Sequence, residues 1–226
     1  MSYTVETLIE RFRDQMDDNE LPYFWSEDRI CELLDEAQRE FAIQTGIFKG
    51  STPVAVTTAD PYVDIPDETI HVRRALLQGQ NRPLSILNMA DLDSAWLGDD
   101  YGNSGGVSDW ETITGTPKVF IIDETTNKGR LSPIPIADGT ITLHYTRFPT
   151  KSITASSAKP ELIDPRHQRS LILYARALAY DDHDVDTYNP ARAMEFYAKF
   201  RARLEEFSGE ITRRQERPRV VRYGGL

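Results

Sequence analysis

The chain has 226 residues, 39% of them hydrophobic, with 26 Lys and Arg against 36 Asp and Glu for a formal charge of −10, which suits one large domain or two lobes with a real core. No 18-residue apolar run exists to span a membrane, and Met1 to Glu6 lack the pattern of a secretory signal. The single cysteine, Cys31, excludes an intrachain disulfide and a Cys-only metal site, so an acidic, soluble protein of a reducing compartment is expected.

The first predicted helix runs from about Thr4 to Met16, where Val5, Leu8, Ile9 and Phe12 form one apolar stripe. Asp17-Asp18-Asn19 break it, and Pro22 follows. Ser26 caps a second helix, with Trp25 and Ile30 at the staple positions on either side. Its buried stripe is Ile30, Leu33, Leu34, Ala37 and Phe41, and Gly46 ends it. Cys31 lies one residue off that stripe and reads as a small flank residue rather than a nucleophile.

From about Thr52 the period changes to two. Val54 and Val56, then Val63 and Ile65, alternate around the turn at Asp60-Pro61, and further strands are expected at Ile70 and Val72 and at Pro83 to Leu87. A short helix is expected near Met89 to Leu97. Residues 98 to 115 hold five glycines and no periodicity, the mark of a binding loop or an unstructured one, with Tyr101 and Trp110 as the anchors it offers a partner. Val119 to Ile122 read as a strand buried on both faces. Pro133 and Pro135 suit an edge strand, and Ile141, Leu143 and Tyr145 share one face of the best strand. The expectation for 51–150 is an inserted antiparallel β lobe.

A Thr- and Ser-rich linker at Thr150 to Pro160 precedes two more helices. Asp164-Pro165 and Asn189-Pro190 each set a capping side chain before a proline at the first helical position. Leu171, Ala175, Leu178 and Ala179 mark the third helix; Ala193, Phe196, Tyr197, Phe200, Leu204 and Phe207 mark the fourth, with Gly209 expected to stop it. The fold class is therefore α+β: a four-helix bundle from 1–50 and 160–210, an inserted β lobe, and an extended basic arm at 211–226. The arm carries five arginines and one acid, and subtracting its +4 from −10 leaves −14 on residues 1 to 210. So acidic a body is a poor ligand for phosphates, because it adds negative charge instead of releasing counterions.

Catalytic motifs fail on their context. Gly102-Asn103-Ser104-Gly105-Gly106 matches G-x-S-x-G but has no strand before it and no helix after it. Asp182, His183 and Asp184 form a possible divalent-ion cluster, yet an EF-hand beginning at Asp182 lacks glycine at its sixth position (Thr187) and an acid at its twelfth (Ala193). The plainer reading there is a solvated connector whose acids complement the dipole of the next helix. His71, His144, His167 and His183 show no paired spacing, and of Arg73-Arg74 one is expected to point outward and one to pair with an acid. No nucleophile, base and oxyanion site assemble, and no cofactor or metal is expected.

Pro22-Tyr23-Phe24-Trp25-Ser26 leading into Leu33-Leu34-Asp35-Glu36-Ala37 resembles the start of bacteriophage head-to-tail adaptor (connector) proteins. Gly115-Thr116-Pro117-Lys118 before Val119 to Ile122, then Leu131, Pro133, Pro135 and Gly139 to Pro149, is similar to their central part, as is Asp186 to Pro190 before the last helix. The resemblance covers most of residues 3 to 207. It implies a non-enzymatic component of the virion, assembled in the host cytoplasm. Such adaptors form a homo-oligomeric ring, usually dodecameric, beneath the portal and present a platform to the tail or its nozzle. Double-stranded DNA passes through without specific binding, and no membrane is involved.

The resemblance also implies that a C-terminal extension anchors the ring to the portal, which falls here on Ile211 to Leu226. Arg213, Arg214, Arg217, Arg219 and Arg222 suit carboxylates on a partner, and Val220, Val221 and Tyr223 supply apolar anchors among them. The competing readings are a nucleic-acid-binding module using those arginines and a metal-dependent hydrolase using Asp182, His183 and Asp184.

Overall fold

The computed structural model describes residues 3–89, 112–122, 127–162, 164–182 and 188–210, with the backbone alone for 211–215. The protein is mixed α+β, with four helices and several sheets among these residues, and it divides into two compact units. One joins 1–45 to 149–226; the other is 46–148.

The helical unit contains α1 (Val5–Met16), α2 (Glu27–Thr45), α3 (Pro165–Asp181) and α4 (Pro190–Gln215). Each start has a capping side chain. Thr4 Oγ1 accepts from the Thr7 amide at 3.2 Å, Ser26 Oγ from Arg29, Asp164 Oδ1 from Arg166 and Asn189 Oδ1 from Arg192, and each satisfies an amide the helix itself leaves free. The predicted stripes of α1 and α2 are buried throughout. Cys31 is buried too, so it belongs to the core and not to its flank. His167 on α3 is wedged between Phe41 and Phe207, its ring centroid 4.1 Å from that of Phe207.

Two buried glutamines tie the irregular segment after residue 149 to these helices. Gln38 on α2 donates to the Lys151 carbonyl and accepts from the Leu162 amide at 3.1 Å. Gln168 on α3 donates to the Leu162 carbonyl at 2.7 Å and accepts from the Tyr3 amide at 2.7 Å. Each amide thus satisfies backbone groups that no helix or ladder serves.

The other unit holds β1 (Lys49–Val56), β2 (Tyr62–Asp64), β3 (Thr69–Leu77), β4 (Ser85–Asn88), β5 (Thr114–Gly115), β6 (Val119–Ile122), β7 (Lys128–Ser132), β8 (Ile134–Pro135) and β9 (Gly139–Arg147). An antiparallel sheet runs in the order β1-β9-β3, and Ile141, Leu143 and Tyr145 of its central strand are buried on one face. A second sheet runs β2-β7-β6-β4, and β5 pairs with β8.

The expectation of a wholly antiparallel lobe is corrected here. β4 lies parallel to β6, and β5 parallel to β8. Parallel neighbours need a long connection, and β4 and β6 are separated in sequence by residues 89–118. Val119 to Ile121 are buried as a strand covered on both faces should be. A bulge between Val72 and Arg74 leaves both Arg73 and Arg74 exposed, and among the described residues neither makes the ion pair with an acid expected of one of them.

Gly46, at φ +55°, ends α2 in the left-handed region, a conformation that favours glycine. Gly209 does not repeat this. α4 runs through it to Gln215, which corrects both the expected stop and the start of an extended arm at residue 211. Glycine inside a helix costs about 1 kcal/mol, and the good helix formers Glu210, Arg213, Arg214 and Gln215 offset it.

Candidate functional site: charged faces of the helical unit

The site residues expected from sequence fall largely beyond the geometry. Arg213 and Arg214 lie on the backbone of α4. Arg217, Arg219, Val220, Val221, Arg222 and Tyr223, like the loop anchors Tyr101 and Trp110, lie outside the described residues. So do Gly102 to Gly106, most of the helix expected near Met89 to Leu97, and His183 and Asp184. Asp182 is described, and its carboxylate receives Arg29 Nη2 at 2.7 Å. No group of three metal-ligating side chains occurs among the described residues. Burial, with Asp28 and Glu27 nearby, pushes the Cys31 thiol up to about 11, so it is a poor nucleophile.

What the geometry does assemble is a row of arginines along α1, α3 and α4. The Arg11 guanidinium sits 4.1 Å from the centre of the Tyr3 ring, and Arg169 Nε donates to the Tyr3 hydroxyl at 3.1 Å. That hydrogen bond draws the Tyr3 phenol below its usual range. Arg176 covers the Phe196 ring at 3.9 Å and donates to Gln15 Oε1 at 2.9 Å. Phe196 stacks on Tyr180 at 5.8 Å, and Arg192 lies over Tyr180 and donates to its hydroxyl at 3.1 Å. Aromatic faces hold guanidinium planes without neutralising them. Among the described residues, none of Arg11, Arg169, Arg176 and Arg192 makes an ion pair. Other cations on this face are paired: Arg166 with Asp164 and Glu210, Lys199 with Glu195, and Arg203 with Glu206. A groove of about 530 Å³ runs between Arg11, Arg166, Arg169 and Arg203.

A second groove, of about 600 Å³, is lined by Glu40 of α2, Tyr174 of α3, and Tyr197, Arg201 and Glu205 of α4. Burial pushes the Tyr174 phenol up to about 12, and Glu40 and Glu36 push the same way. Burial likewise raises Tyr197, with Asp181, Glu36 and Glu40 adding to it. Both phenols are thus part-buried beside carboxylates of α2 and α3, with Glu205 and Arg201 of α4 lining the same groove.

No sequence motif announces either face. Arg166, Arg169, Leu173 and Arg176 recur at i, i+3, i+7 and i+10, the one signal that could have found the first. Among the described residues, no helix is long and apolar enough to cross a membrane.

No curated protein gives a significant match to the chain. The model of the SU10 adaptor protein family matches residues 3–223, nearly the whole chain and both compact units. The chain belongs to that family of phage head-to-tail adaptors.

Proposed function

We propose that this protein is a structural virion component, a ring-forming adaptor that joins the portal of a phage head to the tail and frames the DNA exit channel. The observation that carries the reading is the reach of the family match, which runs from residue 3 to residue 223 and so includes the arginine-bearing C-terminal segment. In this reading α1 to α4 form a four-helix bundle as the body of each subunit, and twelve subunits complete the ring. The segment from residue 216 onward docks on the portal: its arginines meet carboxylates, and Val220, Val221 and Tyr223 enter apolar pockets. Those eleven residues span up to about 36 Å when extended, at roughly 3.3 Å each.

The charge of the body supports the channel role. Residues 1 to 210 carry −14, the tail's +4 subtracted from −10, and a wall of that sign does not hold passing phosphates. The role is mechanical: the protein spaces and joins its neighbours.

Co-sedimentation with purified portal rings tests the proposal, comparing the full chain with residues 1–215. The full chain is expected to bind and the shortened chain to bind at least about tenfold more weakly, with both effects fading as salt rises. Equal binding by the two forms removes the arm from the account, and no binding by either removes the portal.

A further inference from the structure

The two charged faces lie on opposite sides of one helix. Tyr197, Arg201, Glu205 and Ser208 line the acidic groove, and their spacing of i, i+4, i+8 and i+11 sets them on one side of α4. Lys199, Arg203, Glu206 and Glu210 belong to the arginine side at i, i+4, i+7 and i+11. At 3.6 residues per turn the centres of the two sets are about 180° apart around the helix. Among the described residues, Arg11, Arg169, Arg176 and Arg192 are on one side without an ion pair, Glu195 being near enough to feel Arg192 and Arg176; Glu36, Glu40, Asp181 and Glu205 gather toward the other, where Arg201 is the one cation among the described residues lining the groove. A subunit with unlike, complementary faces on opposite sides makes a heterologous contact, and repeating that contact generates a ring when the rotation closes.

We propose that neighbouring copies of this chain pack head to tail, the arginine face of α1, α3 and α4 on one copy receiving the acidic face of α2 and α4 on the next. The inference rests on the adaptor reading and deepens it by assigning the contact between subunits. The arginines are held in advance by Tyr3, Phe196 and Tyr180, so little side-chain freedom is lost when carboxylates arrive. A second copy fits this face better than a nucleic acid does. Glu195, Glu206 and Glu210 are interleaved with the cations and would meet phosphates, whereas an acidic protein face brings carboxylates that the unpaired arginines can take singly.

The test uses two charge-reversed chains, R169E/R192E on one face and E36K/E40K on the other, with circular dichroism to show that both fold. Assembly is read by sedimentation velocity and amine-reactive cross-linking, with the free protein at low salt and with portal rings present. The wild-type chain is expected to give subunit–subunit cross-links. Each variant alone is expected to lose them by at least about tenfold, because like charges then face each other. An equimolar mixture is expected to restore them, since every contact between alternating variants again joins opposite charges. Restoration also excludes misfolding as the cause of the loss.

Variants that assemble alone as the wild type does overturn the inference and leave the adaptor reading standing, with the ring contact elsewhere. Loss without restoration by the mixture also overturns it. Duplex DNA that binds the wild-type chain and is released by R169E/R192E would reassign the arginine face to nucleic acid and overturn it as well. Failure of the wild type to bind portals, with cross-linking and rescue intact in the free protein, removes the portal reading alone.

Discussion

Arg13 Nη1 lies 2.7 Å from Asp18 Oδ2, with the two side chains only 8% and 6% exposed. The same carboxylate accepts the Phe24 amide at 2.7 Å and the Trp25 amide at 3.2 Å, and the guanidinium lies 3.8 Å from the centre of the Tyr23 ring. One buried ion pair therefore fixes the end of α1, the turn and the entry to α2.

Replacing Asp18 by alanine is expected to cost about 3–5 kcal/mol, because it leaves a buried guanidinium and two amides unpaired. Urea denaturation followed by circular dichroism measures this. Asp18→Asn keeps an acceptor for the amides and is expected to lose less.

Gly129 on β7 leaves no room for a side chain. A Cβ there would run into the ring of Phe120, which is fully buried on β6. Gly129→Ala is expected to cost on the order of 1–3 kcal/mol as the core is overpacked, lowering Tm by several degrees in calorimetry.

Asp164 caps α3 and pairs with Arg166. The Arg166 hydrogen bond is the main cause holding its carboxyl down at about 2, below the ordinary 3.8. A depressed native pKa means a contribution that is present above the unfolded value and lost as the pH falls toward the native one. Asp164→Ala is expected to destabilise by about 1 kcal/mol at neutral pH. The gap from wild type should then narrow as the pH drops below about 4, read from urea midpoints across a pH series.

Cys31 should be inert while the protein is folded. Its thiol is buried and pushed up to about 11, so little thiolate is present at pH 8. Reaction with a disulfide reagent is expected to be at least about 100-fold slower in native protein than in denaturant, as followed by absorbance. Equal rates would place Cys31 at an open site.

Much of the helical unit was legible because its signals are local. Stripes at the helical period, and Asp164-Pro165 and Asn189-Pro190 at the starts, act over a few residues and need no knowledge of the rest of the chain. In sequence Asp18 signals only a helix break, since an ion pair five residues apart across a left-handed Asp17 follows no periodic rule. Gln38 and Gln168 look like surface residues in sequence and are fully buried. They serve backbone groups more than a hundred residues away or across a loop, and only the folded path brings those groups to them.

The amino-acid order alone determined where the helices begin, which of their faces are apolar, where strand grammar replaces helix grammar, and the acidic balance. These follow from each residue's own preferences and its near neighbours. Tertiary structure decided that β4 runs parallel to β6, that α4 passes through Gly209 while α2 ends at Gly46, and that arginines from three helices line up on one face opposite a field of carboxylates. The strand pairing and the shared face depend on partners distant in sequence, and pairing energies between distant segments leave no periodic trace in the chain; the passage through Gly209 is a balance of local propensities that a glycine taken as a stop signal hides.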